Sequence, residues 1–328
     1  MTKILITGSS GYIGSCLNNY LKNQKNVYLI DKVSPKKFDK QKNFFIKCDL
    51  NNTVKLEKIL RKIKPEVIIH LAAKSTVNEK IDKKKYIVDN IEATKNLIKV
   101  MLKLKINKII FSSTAAVYDR NSKLLKENYH LKPISNYGKS KLYVEKIIQK
   151  NKKIKYVILR FFNVSGCIKN PLIGEFHNPE THLIPVAVFK ALKKKIVNVF
   201  GKTYPTKDGT CIRDYVHIKD ICSAIQKSVY FLKKNKSLIV NIGGGKGISN
   251  QEVLKKLKRI INKDININFL KKRKGDHPFL VCNIDKANKL LRWSPKFSRI
   301  DNILRDEIRW SNFLIKKNII RKYQSVQK

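Results

Sequence analysis

The sequence predicts an α/β fold: a doubly wound parallel sheet followed by a smaller, partly discontinuous C-terminal domain. Three observations predict it. Short, continuous apolar runs rich in Ile, Val and Phe alternate with helix-length stretches through the first half of the chain. A glycine-rich segment follows the first of those runs directly and opens the first helix. After Asn163 the alternation loosens into a stretch punctuated by Gly166, Pro171, Gly174, Pro179 and Pro185, which marks a change of architecture.

Taken in order, residues 3–7, 27–30, 44–46, 67–71, 109–112 and 156–161 read as strands buried on both faces, because each is short, unbroken and β-branched or aromatic. Residues 13–22, 53–63, 91–104 and 137–150 have the length and mixed polarity of crossover helices. Beyond the loop-rich stretch, a helical segment runs to Lys195. Residues 215–240 again read as strand, helix and strand, so the chain is expected to return to the first sheet. The predicted division is 1–163 plus a return segment at about 215–240 for the first domain, 164–214 with 241–300 for the second, and 301–328 for a C-terminal helix and basic tail. The Lys-rich end beyond Leu314 reads as solvated.

Of the 328 residues, 42% are hydrophobic and 9% aromatic, which excludes a wholly disordered basic protein. Lys and Arg number 71 against 24 Asp and Glu, a formal charge of +47. Such a charge raises the alternative of a non-catalytic nucleic-acid-binding protein. Only 11 of the basic residues are Arg, however, and planar bidentate reading of phosphates favours Arg. Lysine drift over exposed positions is the better account, and no specific nucleic acid is expected as partner. No stretch approaches the roughly 18 apolar residues of a membrane span and no signal-peptide core is present, so no membrane association and a cytoplasmic location are expected. Cys16, Cys48, Cys167, Cys211, Cys222 and Cys282 are scattered without a CxxC pair, which indicates reduced structural thiols and neither a zinc site nor disulfides.

The chemistry is carried by two segments. In Thr7-Gly8-Ser9-Ser10-Gly11-Tyr12-Ile13-Gly14 the glycines make GxxGxxG between a strand and a helix, where backbone N–H groups can approach a pyrophosphate at the helix N-terminus. Glycines also mark plain tight turns, but the position directly after the first strand favours reading this as the phosphate loop of a Rossmann-type dinucleotide site. Asp31, ending the second strand, accepts hydrogen bonds from a ribose diol and repels a 2′-phosphate, which favours NAD over NADP. Lys36 and Lys37 nearby read as solvated loop lysines. Asp49 after the third strand has two readings, an adenine contact or a helix cap. In the second segment Tyr137 and Lys141 are four apart and share one helix face. An ammonium about 4 Å from a phenol lowers its pKa by about three units, which is expected to bring Tyr137 near neutrality as a proton acceptor and donor. Upstream, Phe111-Ser112-Ser113-Thr114 ends a strand, where hydroxyls can bond a reacting carbinol.

With these residues in view the chain resembles the extended short-chain dehydrogenase/reductases, most closely the UDP-glucose 4-epimerase family, from Met1 to about Ser298. Further matches are His70-Leu71-Ala72-Ala73, Arg160-Phe161-Phe162-Asn163, PETHLIP at 179–185 and YPTKDGTCIRDYVH at 204–217. Thr114 replaces the third serine of the usual Ser-Ser-Ser, and Ser135-Asn136 precedes Tyr137 where the family often has Asn-Pro. The resemblance implies tightly held NAD, with Gly8, Gly11, Tyr12, Ile13, Gly14, Asp31, Asp49, Leu50, Asn90, Ser112, Tyr137, Lys141 and Phe162 on the cofactor. It implies catalysis by Tyr137, Lys141 and Thr114. A UDP-hexose would be held by Thr114, Tyr137, Asn163, His182, Leu183, Asn198, Phe200, Arg213, Arg273, Asp276 and Leu280. The implied reaction interconverts UDP-glucose and UDP-galactose through a 4-keto intermediate, in a homodimer. UDP-N-acetylglucosamine is the alternative substrate, since Leu280 stands where a large residue would exclude an acetamido group and a small one would admit it. Ala115 and Ala116 occupy positions where resembling 4,6-dehydratases carry Asp-Glu, which disfavours dehydration.

Overall fold

The computed structural model describes residues 2–35, 44–75, 82–119, 124–170, 172–177, 179–273 and 276–319. Lys36, Lys37, Pro171 and the tail from residue 320 lie outside the described residues.

Seven parallel strands form the central sheet, in the order Leu238–Ile242, Lys155–Phe161, Lys108–Thr114, Val67–His70, Ile4–Thr7, Val27–Asp31, Phe44–Lys47. Residue alternation explains why these strands read as unbroken apolar runs. Ile4, Ile6, Val157, Leu159, Val240 and Ile242 bury on one face with Cys16, Leu17 and Ile221, whereas Leu5, Ile68, Ile109 and Ile158 bury on the other with Leu56, Leu60, Leu97 and Val144. Helices cover both faces, so neither set of alternate residues meets water. The strand order reverses between Ile4–Thr7 and Val67–His70, and in such sheets the crevice beyond the strand C-termini at that reversal is where ligands bind.

Local signals set the helix starts around that crevice. Asn52 accepts from Lys55 N at 3.0 Å and begins Thr53–Ile63, and Ser135 accepts from Gly138 N at 3.0 Å and begins Asn136–Lys150. Gly11 at the head of Tyr12–Tyr20 offers no side-chain cap, which leaves that helix's first N–H groups turned towards the crevice. The expected helix 91–104 is Ala93–Lys103, preceded by a π-helical turn over Ile87–Glu92 that carries Asn90.

The return to the central sheet differs from the expectation. The helix Ile218–Leu232 packs on the sheet and Leu238–Ile242 joins its edge, but the strand Ile212–His217 does not. It pairs instead with Asn163–Ser165, Gly247–Ser249 and Phe279–Cys282 in the smaller sheet. The reason is the buried Asp214, whose carboxylate accepts from Gly245 N at 3.0 Å and Cys282 N at 3.2 Å, tying the strand to two segments of the second half. Beyond it, Val197–Phe200 pairs in parallel with Ile267–Leu270, and the helices Leu183–Leu192, Asn250–Ile261 and Ile300–Lys316 share a separate apolar core.

Candidate active site

A cleft of about 1280 Å³ opens at the C-terminal ends of the central strands and runs to the smaller sheet. Its floor is the glycine turn. Gly8 has φ +73°, and a Cβ there would lie 2.4 Å from Ala72 N; a Cβ on Gly14 would lie 2.2 Å from Gly8 O. Side chains are therefore excluded at Gly8 and Gly14, so backbone there faces the cleft beside the uncapped helix N-terminus. Asp31 is pinned at the strand end, accepting from Ser10 N and Val33 N at 3.0 Å each. Asp49 lines the cleft and accepts from Asn51 N at 2.9 Å; the helix cap is Asn52, so the cap reading of Asp49 is set aside. Tyr12, whose hydroxyl donates to Gly166 O at 2.6 Å, lines the same wall with Ile13, Leu50, Ser112 and Phe162.

Asn90 departs from its expected place on the cofactor. It is buried and does not line the cleft: its Oδ1 accepts from Lys74 N at 2.7 Å, and its Nδ2 donates to Lys74 O at 3.2 Å and Ser140 Oγ at 2.8 Å. With its amide so occupied, Asn90 latches the loop carrying Lys74 to the helix carrying Tyr137. Lys74 itself lines the cleft.

The reacting end lies where the strand Lys108–Thr114 meets the helix Asn136–Lys150. A Cβ on Gly138 would lie 2.4 Å from Ala116 O, so only glycine lets the helix approach this closely. That approach brings the Thr114 side chain into a hydrogen bond with the Tyr137 phenol. Lys141 is buried behind them, its Nζ donating to Ser112 O at 2.7 Å and lying 5.9 Å from the centre of the Tyr137 ring. The expected acidification of Tyr137 is not found. Burial pushes its pKa up to about 12, against a lowering by the Thr114 hydrogen bond, while burial brings Lys141 down to about 7 against the pull of Glu145. Spacing placed the two on one face, but exclusion of water is the largest cause of both shifts. His70, held between Thr7 Oγ1 at 2.7 Å and Thr94 Oγ1 at 2.8 Å, is brought by burial down to about 3 and stays neutral.

Beneath this end lies a buried network that the sequence reading missed. Glu145 accepts from the Ser113 hydroxyl and pairs with Arg160 at 2.7 Å; Arg160 donates to Tyr118 Oη at 3.0 Å, and Tyr118 donates to Asn241 Oδ1 at 2.6 Å. Arg160 stands in the quoted Arg-Phe-Phe-Asn motif, so the signal was present, but it lies on the strand Lys155–Phe161 and its partner Glu145 on the helix Asn136–Lys150.

Asn163, His182, Arg213, Arg273, Asp276 and Leu280 also line the cleft. Arg213 Nη2 is 3.7 Å from Asp276 Oδ1. Leu183, Asn198 and Phe200 do not line it. Leu183 is the first residue of its helix, Asn198 Oδ1 accepts from Asn268 Nδ2 at 3.3 Å, and the Phe200 ring is covered by the Arg273 guanidinium at 3.6 Å. The loop before that helix also contributes Glu175 and His177 to the wall, neither of which was expected.

One cleft thus joins a glycine floor with Tyr, Lys and Thr and with two Arg. The profile of the NAD dependent epimerase/dehydratase family matches residues 4–243. The chain belongs to this family. NAD is thus its cofactor, and the side-chain-free turn at Gly8 and Gly14, the uncapped helix and Asp31 fit the diphosphate and ribose of such a dinucleotide. Among similar proteins, the UDP-glucose 4-epimerase of Lactobacillus helveticus is 36% identical over 94% of this chain and 96% of its own length. The solved UDP-glucose 4-epimerase of Brucella ovis in complex with NAD superposes with a TM-score of 0.89 at 30% identity, covering 95% of this chain and 99% of that one. The UDP-Glc/GlcNAc 4-epimerase of Campylobacter jejuni gives 0.82 at 34% identity, over 95% and 100%. Among the described residues, no helix of this family member is long and apolar enough to cross a membrane.

Proposed function

We propose that this family member interconverts UDP-glucose and UDP-galactose at C4, with slower turnover of the N-acetylated pair. One observation carries the reading: the Thr114–Tyr137 pair and the Arg213–Arg273–Asp276 group line one continuous cleft with the glycine turn. Two guanidiniums suit the diphosphate by charge-assisted bonds, and Asp276 suits a ribose hydroxyl. The hexose then reaches the hydroxyl pair. Residues 1–163 with the returning helix and edge strand carry the cofactor in this reading, and 164–214 with 241–300 carry the nucleotide.

When bound, NAD supplies a hydride acceptor and donor. The residues of the chain manage the proton. Tyr137 takes it from the 4′-hydroxyl and gives it back to that oxygen after the 4-keto sugar has turned, Thr114 orients the reacting oxygen, and Lys141 in its protonated form stabilises the phenolate. Firm anchoring of the diphosphate with sparse anchoring of the sugar permits the 4-keto sugar to turn between the two transfers. Ala115 and Ala116 beside Thr114 offer no acid or base for eliminating water. Leu280 on the cleft wall is intermediate in volume, which supports the broader sugar range, as does the similarity to the Campylobacter jejuni protein named for both sugars.

Exposed Ile87, Val88 and Tyr143 on neighbouring helices support a homodimer, and the six free, buried cysteines support a reducing, cytoplasmic setting. The test is mass and proton-NMR analysis of the product from UDP-galactose without added cofactor. Epimeric product of unchanged mass is expected; loss of water, or no conversion by NAD-containing protein, sinks the reading.

A further inference from the structure

Four side chains of metal-ligating type gather on one loop at the mouth of the cleft. Glu175, His177, Glu180 and His182 lie between the short strand Ile173–Gly174 and the helix Leu183–Leu192, and one ligand atom from each falls within 4.8 Å of all the others. Glu175 Oε1 is 2.8 Å from His177 Nδ1 and 2.9 Å from His182 Nδ1, while Glu180 Oε1 is 3.0 Å from His182 Nδ1. Tetrahedral zinc with N and O ligands at ~2.0–2.2 Å places neighbouring ligand atoms ~3.3 Å apart. The three short separations, which are imidazole–carboxylate contacts here, lie a little inside such an edge, and all four donors fit within 4.8 Å, so small shifts would seat an ion among them.

An independent observation points into the same space. Glu180 is fully buried at 0% exposure, and among the described residues its Oε2 has no hydrogen-bond partner; the nearest imidazole, His177 Nδ1, stands 4.0 Å away. A buried carboxylate oxygen without a donor is unfavourable, and a cation between Glu180 and the imidazoles removes the deficit. The loop is also held in advance. Trp310 Nε1 donates to Glu175 O at 2.6 Å, a Cβ on Gly174 would lie 2.5 Å from the Trp310 ring, and His182 is the residue from which the next helix starts. His177 and His182 are 30% and 50% exposed, which gives an ion a path from solvent.

We propose that Glu175, His177, Glu180 and His182 bind one divalent transition-metal ion, zinc above all. Two imidazoles with two carboxylates suit zinc, whereas magnesium and calcium prefer all-oxygen sites. Four protein donors from one eight-residue stretch close the tetrahedron, so the ion fastens the loop that borders the cleft. Cysteine spacing gave no hint of this because none of the donors is a cysteine.

The test reads metal, not turnover, so its failure is distinguishable from failure of the proposed reaction. The full chain is stripped with chelator, dialysed against excess zinc chloride at neutral pH, desalted and measured by atomic emission. One zinc per chain is expected, and cobalt(II) in its place should give the intense visible absorption of four-coordinate geometry. His177→Ala, at a partly exposed position, and Glu180→Gln should each weaken zinc binding at least about 100-fold, since loss of mere outer-shell partners already costs about 10–100-fold. Circular dichroism confirms that each variant is folded. Failure of folded wild-type protein to retain zinc, six-coordinate cobalt spectra, or equal retention by folded His177→Ala would overturn the site.

Discussion

Replacing Lys141 by Met tests the proton chemistry most directly. The substitution keeps an unbranched side chain of similar length in the buried slot and removes the charge that faces Tyr137 together with the hydrogen bond to Ser112 O. At 5.9 Å from the ring centre and an effective dielectric of about 20, an ammonium stabilises a phenolate by about 3 kcal/mol, close to two pKa units. Tyr137 begins from a pKa raised to about 12, so the active site depends on every such stabilisation. The expected outcome at neutral pH is a kcat per bound NAD lowered about 100-fold. KM for the UDP-sugar should stay near the wild-type value, because Lys141 lies away from Arg213 and Arg273. The variant's rate should also climb with pH as solvent base replaces the missing charge. A coupled assay from UDP-galactose across a pH series measures this, with released NAD quantified for each sample. A loss smaller than about tenfold, one pKa unit, or a pH profile of wild-type shape, would refute the assignment of Lys141 as the phenolate's partner.

Four other outcomes are expected. Tyr137→Phe should retain NAD and lose all but a trace of turnover, because the ring still packs while the proton acceptor is gone; substantial residual rate would remove Tyr137 from the role of base. Gly14→Ala should purify without NAD, since its Cβ meets Gly8 O at 2.2 Å, and chromatography of the nucleotide released on denaturation reads this directly. Leu280→Ser should raise the N-acetylhexosamine to hexose rate ratio and Leu280→Tyr should lower it, by about 10–200-fold at most for a single steric misfit; an unchanged ratio in both would acquit the residue. Finally, His70, neutral in the fold with a pKa near 3, binds a proton in the unfolded chain below about 6.5, so its contribution is complete above that pH and is lost as pH falls towards 3. Urea midpoints of wild type against His70→Asn should therefore converge between pH 7 and pH 5; parallel curves would contradict a buried neutral imidazole.

The sheet was legible because its determinants are local. Alternate residues such as Ile4 and Leu5 face opposite helical layers, so a strand buried on both sides must be apolar throughout, and that is visible in any short window. The glycine turn was legible for the same reason, since contacts of Gly14 with Gly8 lie within seven residues. The strand Ile212–His217 was assigned to the wrong sheet because its partner is chosen by Asp214 reaching Gly245 and Cys282, far along the chain. Asn90 reads as a ligand from the family resemblance and serves as a latch, a role that depends on where Lys74 and Ser140 arrive in space.

By itself the sequence determined which residues share a face and which types of chemistry they bring. Tyr137 and Lys141 fall on one helical face, and Thr114 falls at a strand end beside them. Only the tertiary structure decided the protonation of that group, because a pKa depends on how much water the whole surrounding fold removes. Elements distant in sequence bury both residues, and so Tyr137 rises and Lys141 falls where spacing alone pointed Tyr137 towards neutrality. The same holds for the loop from Glu175 to His182. Its four donors are plain in the sequence, but their convergence within 4.8 Å depends on Trp310, on the last helix of the chain, holding the backbone of Glu175 in place.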